Sequence, residues 1–251
     1  MSNNVICFIQ QRVDMINGSG PRPFSFKDCA LAAIATGRRA RDLRELRDHL
    51  QQVEIASIYY HFWGGRLRPL FDEAEYNNDF AAWVHHALRD HVAAERLGVI
   101  DPTEFPTLED LRTELVETLE QRLYELDTLP VSKADEQFSF IRSQIVVFDT
   151  HRSIAHPGEL AEGLATSSVS SIFYHFIDAR RRTAEGRDDY STWLSDFGEE
   201  GNALALRLAD IDPYFTSLTD LRGQLADAVD MDAFVPGTRS RRMTEVRDAT
   251  S

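Results

Sequence analysis

Apolar residues recur along this chain mostly at helical spacing. In ARDLRELRDHLQQV, residues 40–53, Leu43, Leu46, Leu50 and Val53 stand three or four apart, which predicts an amphipathic helix with a charged outer face. From Ser57 onward SIYYHFW is aromatic or aliphatic nearly all round, the pattern of a helix enclosed by neighbours. Gly64 and Gly65 should weaken that helix by about 1 kcal/mol each. Further on, Asn78-Asp79 and Asp188-Asp189 precede the apolar runs FAAWVHHAL and YSTWL and sit where an N-cap belongs. Thr107 with Asp110 and Ser217 with Asp220 read as capping boxes, each opening a helix with Leu111 and Leu115, or Leu221 and Leu225, turned inward. Two stretches disagree. DCALAAIAT has the composition of a helix, whereas SQIVVFDT is β-branched and favours a strand.

These two stretches occupy matching places in a longer self-similarity. A shift of 114 positions lays residues 24–68 on 138–182 without a gap, so that SIYYHFW meets SIFYHFI. Fifteen of these 45 pairs are identical, against about three expected from average residue usage. The order of landmarks continues beyond the block, with Asp101-Pro102 answering to Asp212-Pro213 and Leu108 to Leu218. The organisation expected is an N-terminal extension (1–23), a first helical repeat (24–125), a polar linker (126–137), a second helical repeat (138–230) and a mobile tail (231–251). Matching apolar faces would bring the halves together as a fused dimer.

Composition narrows the classes of function. The chain has 251 residues, with 27 basic against 41 acidic side chains and a net charge of −14, a balance that repels phosphate backbones and argues against nucleic acid. Cys7 and Cys29 are too few for a disulfide framework. The N-terminus lacks the basic start and apolar core of a signal peptide, and no stretch nears the ~18 apolar residues of a membrane span. A cytoplasmic location without membrane contact is expected.

The ordered motifs F-x-F, T-G or T-x-R, L-x-E-L, S-I-Y-Y-H, N-D-F-x-x-W, I-D-P and L-x-D-L-R resemble the uncharacterised prokaryotic family known as domain of unknown function 5752. The likeness is fullest over residues 24–123 and weaker in the second half, where Gly37 gives way to His151 and Asn78-Asp79-Phe80 to Asp188-Asp189-Tyr190. It implies no reaction, cofactor or partner.

Candidate chemistry rests on few residues. His61 and Arg68 are seven apart, two turns along one helix face; Tyr60 and Arg66 lie beside them in sequence, and Arg38, like Arg66, is matched in the second copy, by Arg152 and Arg180 respectively. Together these five could hold an anion, with Arg68 as clamp and His61 as donor. The second copy suits this less, because Asp178 lies three from His175 and four from Arg182 and could neutralise both. The ordinary reading of a Tyr-His pair in an apolar helix is packing. A metal site is the weaker idea: among His49, His61, His85, His86 and His91, the spacing offers His86 with Asp90, four apart on one helix. The chain has no glycine-rich phosphate loop, HExxH or CxxC. The expectation is a mainly α protein of two homologous helical halves about a pseudo-two-fold, with room for one short strand per half. It would bind a protein partner or an anionic small molecule without catalysis and without a cofactor. The alternative is an enzyme acting on a phosphorylated or carboxylated metabolite in the first repeat.

Overall fold

The computed structural model describes residues 20–67, 75–126, 133–183 and 185–230. At its centre, β1 (Phe24–Ala40) and β2 (Phe138–Ile154), each 17 residues long, pair antiparallel in a two-stranded sheet. After β1 come α1 (Leu43–Leu50), α2 (Ile55–Trp63), α3 (Asp79–Trp83) with a π-helical continuation (Val84–Leu88), α4 (His91–Gly98) and α5 (Leu108–Glu125). β2 is followed by α6 (Leu160–Ala165), α7 (Val169–Ile172) with a π-helical continuation (Phe173–Asp178), α8 (Ala179–Arg182), α9 (Asp189–Leu194), α10 (Gly198–Ala209) and α11 (Leu218–Val229). The expected tail at 231–251 and residues 1–19 of the N-terminal extension lie outside the described residues.

This architecture is α/β, and it overturns the mainly α expectation of two helical halves related by a pseudo-two-fold with short strands at most. Two causes account for the difference. The alanine-rich β1 has the local preference of a helix, but nearly its whole length finds a hydrogen-bonding partner in the β-branched β2, and pairing outweighs intrinsic propensity. Nor does either half close on itself, because each strand fills the interior formed by helices that follow the other strand. Phe138 and Phe140 pack on Phe80 with ring centroids 5.3 and 6.5 Å away, and Phe138 reaches Trp83 at 5.6 Å. Reciprocally, Phe24 lies 5.1 Å from Tyr190 and 5.7 Å from Trp193. The indole N–H of Trp83 donates to the Glu136 carbonyl, and that of Trp193 to the Arg22 carbonyl.

The ladder has two register shifts, between Phe26 and Lys27 and between Ala35 and Arg39. Each coincides with a left-handed residue: Gly37 at φ +78° on β1, and His151 at φ +57° on β2. The threonine before each closes the bulge, Thr36 donating to the Phe140 carbonyl and Thr150 to that of Phe26. Phe24, Phe26, Ala40, Phe138 and Phe140 are buried, whereas the middle of the sheet leaves Val146, Val147 and Phe148 exposed.

The helices follow their sequence signals. Asp42 caps α1 through the Arg44 and Glu45 N–H groups, and Leu43, Leu46 and Leu50 are buried beneath it. Asn78 caps α3 and Asp188 caps α9. Thr107 and Asp110 form a reciprocal box at α5, and at α11 Ser217 accepts from the Asp220 N–H while donating to its carboxylate.

Candidate functional site

The residues singled out in the sequence are mostly committed to holding the fold. His61 is 3% exposed, and its Nε2 accepts the Ile141 N–H of β2 at 3.0 Å. Nε2 is thus the acceptor, and Nδ1–H donates to Asp79 at 2.8 Å. His175 repeats the arrangement, accepting the Lys27 N–H at 2.8 Å and donating to Asp189 at 2.8 Å. Each histidine ties a helix to the opposite strand at a place where the ladder leaves a donor over. The Tyr60 ring covers Gly64, where a Cβ would come within 2.5 Å of it, so the backbone there is closed rather than open. Arg66 donates to the Tyr214 and Thr216 carbonyls, and it faces the rings of Trp63 and Tyr214. Burial pulls its pKa below the usual arginine value. Arg38 donates to Gln52. Tyr60 and His61 are therefore adjacent, while Arg66 and Arg38 turn to separate neighbours. Arg68 lies outside the described residues. Asp178 takes Arg181 and Arg182, whereas the partner of His175 is Asp189, which Arg182 also reaches.

His86 and Asp90 do not meet as a pair. Asp90 caps α4 and holds Arg122 at 2.9 Å, while His86 is turned toward Glu75.

A cleft lies where the sequence drew no attention, among α8, α9 and α10. It encloses about 480 Å³ and is lined by Arg180, Arg187, Ser191, Asn202 and Leu206, together with Gly186, Asp188, Ala205 and Ala209. Arg180 stands 114 residues after Arg66, but its surroundings differ. Its guanidinium stacks on Phe176 at 4.4 Å and makes no hydrogen bond or ion pair among the described residues. Burial lowers its pKa, and only the fields of Asp188 and Asp212 act the other way. The Ser191 hydroxyl is buried close to the Asp188 carboxylate. Arg187 is anchored by donation to the Ser191 carbonyl at 2.9 Å. Asp188 is spent on the cap of α9, and burial raises its pKa.

One residue difference between the halves falls at the cleft. Two positions before the N-cap of α3 stands Tyr76, and two before the N-cap of α9 stands Gly186. In the first half the Tyr76 ring packs on Gly98, where a Cβ would meet it at 2.8 Å. In the second half Gly186 brings no ring, and the corresponding space beside Ala209 stays open. This substitution could have been read from the sequence; that it falls at a cleft could not.

A family model described as a family of unknown function, DUF5752, matches residues 21–230 in one copy, running through both halves and the sheet between them. The chain belongs to the DUF5752 family. No curated protein matches it. A solved structure titled "The structure of OrfY from Thermoproteus tenax" is similar to this DUF5752 member, at 29% identity and a TM-score of 0.72, over 85% of this chain and 97% of that one. No helix among the described residues is long and apolar enough to cross a membrane.

Proposed function

We propose that this protein is a non-catalytic small-ligand-binding protein whose cleft among α8, α9 and α10 takes an anionic group, a phosphate or a carboxylate. The observation that carries this reading is Arg180, a half-buried guanidinium on the cleft wall with no acceptor among the described residues. A buried cation without a partner is costly, and a planar donor fork matches an oxyanion in two places. The Ser191 hydroxyl, the Asn202 amide and Arg187 add donors along the same wall. These groups recognise; they do not form a nucleophile and base pair. The site thus moves from Arg66 to its counterpart, because Arg66 already has carbonyl acceptors.

Thermal shift and calorimetry with inorganic phosphate, pyrophosphate and citrate test the reading. At least one should bind saturably, and a ligand at 100 times its Kd should add about 2.7 kcal/mol of stability. Arg180→Gln should weaken that binding at least tenfold with little change in Tm. Arg66→Gln should instead lower Tm and leave Kd nearly unchanged. Binding that survives Arg180→Gln, or no binding by any of the three, would overturn the assignment.

A further inference from the structure

The histidines of the first half gather at a second place, distinct from the cleft. The π-helical turn after α3 carries His85 and His86 in succession. In a regular helix neighbours point about 100° apart, yet here both rings come to one carboxylate. His85 Nε2 lies 3.6 Å from Glu75 Oε1, and His86 Nε2 lies 3.8 Å from Glu75 Oε2. All three ligand atoms fall within 4.8 Å of one another.

The hydrogen bonds behind His85 decide what its Nε2 can do. The Tyr76 hydroxyl has one proton, and it donates that proton to Glu95 at 2.9 Å. Its contact with His85 Nδ1, also 2.9 Å, therefore has the imidazole donating. A neutral His85 that donates from Nδ1 carries its lone pair on Nε2, aimed at Glu75. Two acceptors then face each other across a gap that a cation would fill. The chain His85 to Tyr76 to Glu95 is also the outer support that metal-binding imidazoles generally have, since it fixes the tautomer and the ring plane. His91 Nδ1, 3.2 Å from His85 Nδ1, adds a second group on that outer side.

We propose that Glu75, His85 and His86 bind a divalent transition-metal cation, with zinc the best fit. Two imidazoles and a carboxylate are a zinc donor set, with bonds of about 2.0 to 2.2 Å. A tetrahedron with such arms has edges of about 3.4 Å, so the two histidine–glutamate separations close by a few tenths of an ångström, and the two imidazole nitrogens, no more than 4.8 Å apart, by at most about 1.4 Å. Glu75 and His86 are exposed and can make that adjustment. The fourth position faces solvent and takes water. Calcium and magnesium prefer all-oxygen shells and fit poorly. The second half cannot repeat the site, because Ser195 and Asp196 occupy the corresponding turn.

Full-length protein without an affinity tag, stripped with chelator, should bind one equivalent of Zn2+ in calorimetry at pH 7.5. Co2+ should give the visible absorption of a four-coordinate complex. His86→Ala alters an exposed side chain, so it should keep its Tm while losing at least tenfold in affinity. Tyr76→Phe removes the outer support without removing a ligand, and it should weaken binding by roughly tenfold or more. Absence of saturable Zn2+ binding, or an unchanged isotherm in both His86→Ala and Glu75→Gln, would overturn the proposal. Neither outcome depends on the Arg180 cleft.

Discussion

At the scale of single residues, the chemistry of a side chain here is decided by what lies across the sheet from it. Sequence spacing placed His61 beside arginines as an anion donor, but it could not show that Ile141, 80 residues later, would present an N–H to its ring. With both ring nitrogens engaged and the side chain 2% exposed, His61 works as a peg between α2 and β2. Substituting His61→Phe keeps an aromatic ring but leaves the Ile141 N–H without its acceptor. The expected cost is about 1 to 3 kcal/mol, measurable by urea denaturation; a change below about 0.5 kcal/mol would mean water replaces the imidazole at no loss. Cys29 was the easier reading. The next residue along from the acidic Asp28, it is buried, and burial together with the Asp28 charge pushes its pKa up to about 12.

At the scale of elements, helices were legible because their signals are local. The Leu43, Leu46 and Leu50 stripe, the Asn78 and Asp188 caps and the Thr107 box each depend on residues within a turn or two. The strands were only half legible, since β1 is extended by virtue of a partner that begins almost 100 residues after it ends. Their bulges offer a direct comparison of backbone preference. Gly37 and His151 hold the same left-handed conformation 114 residues apart, and for a residue with a Cβ that region costs about 1 to 2 kcal/mol. Gly37→Ala should therefore destabilise the protein by about 1 kcal/mol, and His151→Gly should be neutral or stabilising by up to about that amount. Opposite signs in paired denaturation curves would support the assignment. If both variants lose stability, the His151 side chain contributes something the backbone angle does not explain. The candidate sites show the same division. The difference between Tyr76 and Gly186 is visible in the sequence, but the space beside it depends on how α10 packs beside α9.

At the scale of the molecule, each half is completed by the other. Phe138 and Phe140 are buried among α2 and α3 residues, and Phe24 and Phe26 lie against the ring of His175 and that of Tyr190. The family model likewise spans both halves in one copy. Residues 1–126 and 127–251 expressed separately should each lack cooperative unfolding, and mixing them should restore it. A separate fragment with a sharp thermal transition would contradict this account.

The same exchange sets a clock on synthesis. At about 5 to 20 residues per second, the ribosome needs roughly 6 to 23 s to travel from Phe24 to Phe138. During that interval the nascent first half cannot close its core, and the apolar side chains that will surround Phe138 stay uncovered. Until the second strand arrives, that unfinished surface is open to any other apolar chain nearby.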